Sequence, residues 1–193
     1  QFGILEGQDA LDFIEKKKPT FSTPNAATVQ KQWFDDKSVS TSEHYGAKLY
    51  YAAEKGDVNQ LVIACIEASD DIDEVTPTNV KTTMELIEIQ NYAKKAKRST
   101  ESIRPFVKKV LEQTEYNAVK KVYLSPATNE LTKMYTDLWG MKKVNANGEW
   151  LGANKDDLIK TLEKSTQQLK DEKKAREAAK AAQTLSSEAV ELK

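Results

Sequence analysis

The predicted fold depends on the stretch Tyr45-Gly-Ala-Lys-Leu-Tyr-Tyr-Ala-Ala-Glu-Lys-Gly56-Asp57-Val-Asn-Gln-Leu61, which an apolar run, an acidic loop and Thr76-Pro77 follow. Glycine adopts the left-handed conformation at a helix C-terminus without steric cost, so Gly56 is the predicted end of a first helix. Asp57 is then the predicted N-cap of a second helix, with Gln60 in the capping-box position. A helical hairpin cannot bury both of its faces alone. The stretch therefore predicts stacked helical neighbours and a role in binding rather than in chemistry.

Further helix starts are predicted where a hydroxyl residue precedes proline, at Thr23-Pro24, Thr76-Pro77 and Ser125-Pro126. The segment from Pro77 to about Ala96 has a wide apolar stripe, which is typical of an inner helix contacted from two sides. Narrower stripes at helical spacing run from Val58 to Ile66, from Ile103 to Leu111 and from Leu131 to Trp139. These patterns predict helices that pack on one another and show one polar face to water.

The flanking segments complete the expected organisation. Residues 1–22 are expected to form an extended N-terminal arm, and residues 23–152 a helical-repeat domain with one non-helical insert, a hairpin at Asn147-Gly148. Residues 153–193 are expected to form a C-terminal helix and tail. Because Lys170 to Gln183 contains only charged residues, alanine and glutamine, this helix should project from the body.

Composition excludes several classes of protein. The 193 residues include 29 basic and 30 acidic side chains, which argues against the uniformly basic surface of a general nucleic-acid binder. No apolar run approaches the ~20 residues that a membrane-spanning helix needs. A single cysteine allows no internal disulfide and fits a reducing compartment. The chain begins at Gln1 without a targeting signal, as expected of a mature protein whose leader has been removed.

Motifs that carry chemistry are absent from the sequence. One histidine, His44, and one cysteine, Cys65, cannot supply the ligands of a zinc site, and there is neither a calcium-binding loop nor a glycine-rich phosphate loop. Cys65 lies within an apolar stripe, where a free cysteine acts as a small buried hydrophobe rather than as a nucleophile. We therefore predict no catalytic residue, no cofactor and no metal ion.

Two groups of residues are candidates for contact with a partner. Trp33-Phe34 and Trp150-Leu151 contain the aromatics least explained by helical stripes, and we expect core packing for both pairs, with a role as interface anchors as the alternative. The basic residues Lys94, Lys95, Lys97 and Arg98 are candidates for RNA binding, with a role at a helix C-terminus as the alternative.

The chain resembles the pentatricopeptide-repeat family over residues 43–97. The resemblance is carried by Tyr45, Leu49, the segment Lys55 to Leu61, and Pro77 followed by Val80 and Met84. It implies an all-α fold of stacked antiparallel helical hairpins, a right-handed α-solenoid. Members of that family are typically organellar and read single-stranded RNA through a polar side chain on the inner helix.

The position that aligns with this RNA-reading side chain is Ala47, which cannot hydrogen-bond to a base. The resemblance therefore favours a non-catalytic structural accessory subunit in the mitochondrial matrix, docked on a larger protein complex such as the catalytic head of ATP synthase. The alternative is an organellar single-stranded RNA-binding protein that uses the basic stretch from Lys94 to Lys121.

Overall fold

A mixed seven-stranded sheet forms the centre of the computed structural model, which describes residues 1–17, 33–34, 46–91 and 100–191. The strand order is β1-β2-β3-β4-β5-β7-β6. Strands β4 and β5 are parallel and the other neighbours are antiparallel. The strands are β1 (Phe2–Glu6), β2 (Lys48–Glu54), β3 (Asp57–Ile66), β4 (Thr83–Asn91), β5 (Lys121–Leu124), β6 (Lys142–Lys143) and β7 (Leu151–Asn154). The predicted all-α solenoid is therefore wrong.

Helices cover both faces of this sheet. They are α1 (Gly7–Lys17), α2 (Thr100–Leu111), α3 (Asn129–Asp137), α4 (Lys155–Glu163) and α5 (Thr166–Glu191), with short 3-10 turns at Val80–Thr82 and Thr114–Tyr116. One apolar cluster joins α1 to one face of β2 and β3. A larger cluster joins α2, α3 and α4 to the opposite face. Within the described residues, no helix has both the length and the apolar composition needed to cross a membrane.

The stretch that predicted a helical hairpin is a β-hairpin formed by β2 and β3. Lys55 and Gly56 form its turn, both with positive φ (51° and 83°), which is the conformation that two-residue hairpin turns require. The run Leu61 to Ile66 contains no polar residue, and all but Ile66 are buried. Such a run is typical of a strand covered on both faces, so helical spacing within it carried no information.

The predicted inner helix from Pro77 to Ala96 is also wrong, because β4 occupies most of the segment. Residues before the strand form a turn in which Asn79 Oδ1 accepts a hydrogen bond from the Thr76 N–H at 2.8 Å. Within the strand, Met84 and Leu86 face α2. An extra residue at Ile87 then interrupts the alternation. The interruption produces an apolar spacing that resembles a helical stripe.

Several sequence predictions are confirmed by local structure. The stripes from Ile103 to Leu111 and from Leu131 to Trp139 lie in α2 and α3, although Thr128 rather than Ser125 caps α3. The hairpin around Asn147-Gly148 joins β6 to β7, and the segment after Asn154 is helical. Residues 1–17, expected in an extended arm, instead form β1 and α1. The helix start predicted at Thr23-Pro24 lies outside the described residues.

Candidate functional site

The parallel strands β4 and β5 are hydrogen-bonded over only a short length. Thr83 to Glu85 pair with Lys121 to Tyr123, and β5 ends one residue later at Leu124. β4 continues to Asn91, and in the described part of the chain these last residues pair only with β3. Beyond the pairing of Glu85 with Tyr123, no strand in the described part of the chain pairs with β4 on this side, and an extended ligand could add along Leu86 and Ile87. We call the space between the diverging strands the cleft.

A bulge in β4 lies where the cleft begins. Ala64 of β3 pairs with Leu86 whereas the preceding Ile63 pairs with Glu88, so Ile87 is the additional residue. A bulge bends its strand and redirects the adjacent backbone groups and side chains. The strand is therefore reshaped at the point where β4 leaves β5.

Two carboxylates lie on the face of β4 that α1 covers. The cross-strand partners of Glu85 and Glu88 are Cys65 and Ile63, which both belong to the cluster beneath α1. Glu85 is 4% exposed and accepts a hydrogen bond from the Ser69 N–H at 3.3 Å. Glu88 is half-buried and accepts a hydrogen bond from the Gln90 side-chain amide at 3.4 Å. This side of the cleft is acidic and favours a cationic group.

Tyr135 of α3 belongs to the apolar cluster on the opposite face. The same cluster contains Leu86 and Leu124, the residues at which the two strands separate. The ring of Tyr135 meets that of Trp139 edge-on, with centroids 4.8 Å apart. Its side chain is 6% exposed, and burial alone raises the pKa of Tyr135 to about 12. The phenol therefore stays protonated at neutral pH and can donate a proton or a hydrogen bond.

The other buried tyrosines with raised pKa values have hydroxyl groups that are already hydrogen-bonded. The Tyr50 hydroxyl bonds to the Glu115 carboxylate and lies 2.7 Å from the Tyr116 hydroxyl. Tyr123 donates to Glu74 at 2.5 Å. Burial is the main cause of the raised pKa in each case. Of these four tyrosines, Tyr135 alone has a hydroxyl without a hydrogen-bond partner among the described residues.

Helix α2 follows the open end of β4 in the chain. β4 ends at Asn91 and α2 begins at Thr100. The first N–H groups of a helix lack partners within it, and the helix dipole makes this end attractive to anions. The connecting sequence contains four basic residues between positions 94 and 98. The N-terminus of α2 is therefore a candidate contact for an anionic ligand.

Known proteins match this chain in structure and not in sequence. No protein-family model matches it, and no curated protein is similar to it in sequence. A Desulfovibrio desulfuricans protein assigned to the GNAT family of acetyltransferases has a TM-score of 0.54 at 12% identity, over 80% of this chain and 98% of that one. An aminoglycoside acetyltransferase with coenzyme A and kanamycin gives 0.51 at 10% identity, over 83% and 98%. The same enzyme with paromomycin and acetyl-coenzyme A gives 0.53 at 11% identity, over 86% and 99%.

The fold is that of the GNAT acetyltransferases. At these identities the similarity shows the fold alone. The GNAT fold overturns the pentatricopeptide-repeat assignment, because a mixed sheet replaces the stacked helical hairpins. It also overturns the expectation of a non-catalytic accessory subunit of ATP synthase, because that expectation depended on the helical scaffold and the matched structures are acetyltransferases.

The residues predicted to contact a partner lie within the GNAT fold as follows. Phe34 is buried beneath α1 with Trp33 packed beside it, and Leu151 is fully buried on β7. Trp150 is half-buried against Tyr123 and its neighbours. These positions agree with the expected core packing, and a role in partner binding stays a prediction. The candidate RNA-binding residues 94, 95, 97 and 98 lie outside the described residues.

The remaining candidates for chemistry do not form a site. Cys65 is buried on β3, where burial raises the pKa of its thiol, and His44 lies outside the described residues. No cluster of potential metal ligands occurs in the part of the chain that the structure describes. Sequence patterns missed Glu88, which was assigned to a helix. Tyr135 was assigned to an apolar stripe of a helix. Its hydroxyl, a polar group among apolar side chains, was the one feature of the sequence that could have indicated a functional role.

Proposed function

We propose that this chain transfers an acetyl group from acetyl-coenzyme A to an amine. The observation that carries the proposal is that β4 stops pairing with β5 after Glu85, next to a bulge that lies between a pair of carboxylates and a buried tyrosine. Structures with the same fold are aminoglycoside acetyltransferases solved with coenzyme A or acetyl-coenzyme A, and their kanamycin and paromomycin ligands are amines. The likeness supports the proposal through the fold alone.

The cleft fits the chemical groups of acetyl-coenzyme A. The extended arm of acetyl-coenzyme A contains amides, which can pair with the backbone of β4 at Leu86 and Ile87 as an additional strand would. Its phosphates suit the N-terminus of α2, whose preceding sequence is basic. The thioester would then lie near the bulge at Ile87, where β4 and β5 separate.

The proposed reaction is a direct transfer. The neutral amine nitrogen attacks the thioester carbonyl carbon, a C–N bond forms and the C–S bond breaks. The departing sulfur takes the proton of the Tyr135 hydroxyl. The proton lost by the amine nitrogen returns to the tyrosine oxygen through solvent, so the products are an amide and a thiol. Burial raises the pKa of Tyr135 to about 12, so the phenol is protonated at neutral pH and gives up its proton only as the proton from the amine nitrogen replaces it. Tyr135 is therefore the proposed proton donor.

Glu88 is the proposed contact for the acceptor. Its half-buried carboxylate already accepts a hydrogen bond from the Gln90 side chain, and a carboxylate can accept several, so an ammonium group of the acceptor can bind in addition. Glu85 is less suited to this role because it is almost fully buried.

The test combines binding with turnover. Calorimetry with coenzyme A measures donor binding, and thiol release from acetyl-coenzyme A in the presence of kanamycin, spermidine or lysine peptides measures transfer. Tyr135→Phe keeps the ring and removes the hydroxyl. We expect it to lower kcat about 10²-fold or more, the usual contribution of a positioned proton donor, with little change in coenzyme A affinity.

Two results would overturn the proposal. The first is failure of the folded chain to bind coenzyme A. The second is binding without amine-dependent thiol release for any acceptor. Full activity of Tyr135→Phe would leave acetyl transfer in place and remove Tyr135 as the proton donor.

A further inference from the structure

A cavity of about 330 Å³ lies at the beginning of β5, away from the end at which β4 and β5 diverge. Residues of β5, β6, β7 and α4 form its wall together with the turn after α3. Its volume falls within the range of about 300–1,000 Å³ that is usual for small-molecule sites. Neither Tyr135 nor Glu88 lines it, so it is separate from the cleft.

Three lysines dominate the charge of the cavity wall. Lys121, Lys142 and Lys143 line it, and no ion pair joins any of them to a carboxylate in the described part of the chain. The wall also contains the carboxylates of Glu74 and Asp157. Glu74 already accepts the hydrogen bond from the Tyr123 hydroxyl. Three ammonium groups against two carboxylates leave the wall with an excess of positive charge and of donors.

Trp139 contributes a further donor without an acceptor. The residue lines the cavity and is 1% exposed, and its Nε1 is buried with no hydrogen-bond partner among the described residues. Buried N–H groups in native proteins are nearly always paired, and an indole nitrogen is a donor only. A bound acceptor atom would satisfy this group. The lysines favour an anion and the indole N–H favours an acceptor atom, and an oxyanion provides both.

We propose that this cavity binds a small molecule bearing a carboxylate or phosphate group. The ammonium groups of Lys121, Lys142 and Lys143 compensate its charge, and the indole N–H of Trp139 donates a hydrogen bond to one of its oxygens. Binding here does not depend on the proposed acetyl transfer, because the site shares neither the proton donor nor the acceptor contact with the cleft.

The indole N–H signal of Trp139 provides a direct measure of binding. The chain has three tryptophans, so the uniformly ¹⁵N-labelled protein gives few indole signals, and Trp139→Phe identifies the relevant one. Inorganic phosphate, glucose 6-phosphate and citrate are titrated separately, with sodium chloride used to hold the ionic strength constant. We expect a saturable shift of the Trp139 signal. Tighter binding of the phosphate ester identifies a phosphate ligand, and tighter binding of citrate identifies a carboxylate ligand.

Two charge variants distinguish binding in this cavity from non-specific attraction of anions to surface lysines. Lys142→Ala removes one ammonium group of the wall and should weaken binding about tenfold, as expected for a hydrogen bond to a charged group. Lys170→Ala removes the same charge from an exposed position on α5 and should leave the affinity unchanged. The proposal is overturned if none of the three probes gives a saturable shift. It is also overturned if both lysine variants weaken binding equally.

Discussion

Burial of the Tyr135 phenol makes the stability of the protein depend on pH in the alkaline range. Its folded pKa is about 12 against an ordinary value of 10.0, and burial also raises the pKa values of Tyr50, Tyr116 and Tyr123. Below pH 10 the phenols are protonated in both the folded and the unfolded chain, and the full stability is present. Above it, the unfolded chain ionises first, so the free energy of unfolding falls as pH rises from 10 towards 12.

We expect this loss to reach about 1.4 kcal/mol per pH unit for each such tyrosine. Urea unfolding between about pH 8 and pH 11 measures it. Tyr135→Phe removes one titrating group, so the unfolding free energy of this variant should fall less steeply with pH, by the contribution of one tyrosine. An unfolding free energy that stays constant up to pH 11 would contradict the assigned burial of these hydroxyls.

The carboxylate of Glu88 determines how well a cationic acceptor is held, if the proposed function is correct. Glu88→Gln keeps the shape and removes the charge. We expect kcat/KM for a polyamine acceptor to fall about tenfold, since loss of a charged partner costs roughly 1–3 kcal/mol, with coenzyme A affinity unchanged. Glu188→Gln on the exposed part of α5 is the matched control. Equal kinetics for the two variants would exclude Glu88 from the acceptor site.

At the scale of elements, the turn between β2 and β3 depends on positive φ at two consecutive residues. A Cβ at Gly56 would meet nothing within 4 Å, so substitution there changes the backbone energy alone. We expect Gly56→Ala to lower the unfolding free energy by about 1–2 kcal/mol. Lys55→Asn should raise it by a few tenths of a kcal/mol, because asparagine tolerates this conformation. Chemical denaturation measures both changes, and a stabilising Gly56→Ala would refute the assigned turn.

Gly56 also shows why the sequence predicted a helical hairpin where the structure has a β-hairpin. A left-handed glycine ends a helix as readily as it turns a hairpin, so Gly56 indicated a chain reversal without indicating its type. The apolar run Leu61 to Ile66 fits either structure over so short a length. In contrast, α2 and α3 have one-sided stripes long enough to identify them, and both helices were predicted.

The candidate site was beyond prediction because it arises from pairing between distant strands. β5 ends at Leu124, and Ile87 is an extra residue in β4. Both features can be recognised only from the pairing of the strands in the sheet. No local pattern marks the place where parallel strands diverge. Glu88 and Tyr135 are 47 residues apart in the sequence (135 − 88) and occupy opposite faces of the fold's central sheet.

At the scale of the whole molecule, α5 divides into an attached and a projecting part. Leu169 is 4% exposed, and Lys173 forms an ion pair with Asp137 at 3.0 Å, whereas Leu185 and Val190 are 67% and 73% exposed. We expect a chain ending at Glu177 to have a melting temperature within about 2 °C of the full chain. A chain ending at Lys164 loses the burial of Leu169, and its unfolding free energy should fall by about 2–4 kcal/mol.

Thermal unfolding of the two shortened chains distinguishes these roles. A large loss of stability in the chain ending at Glu177 would show that residues 178–193 contribute to the fold. Equal stability of both shortened chains would show that Leu169 contributes little.

Lys155 gives the protein a built-in reporter of its folded state. Its ammonium group donates to the Tyr116 carbonyl at 2.5 Å, and the residue is 8% exposed although it is a lysine. Amine-reactive reagents modify accessible lysines within minutes, so the exposed lysines of the native chain should be labelled first and Lys155 last. Mass spectrometry of peptides after timed labelling would then follow opening of the contact between α4 and the Thr114–Tyr116 turn. The rate at which Lys155 becomes reactive measures how often the folded protein opens there.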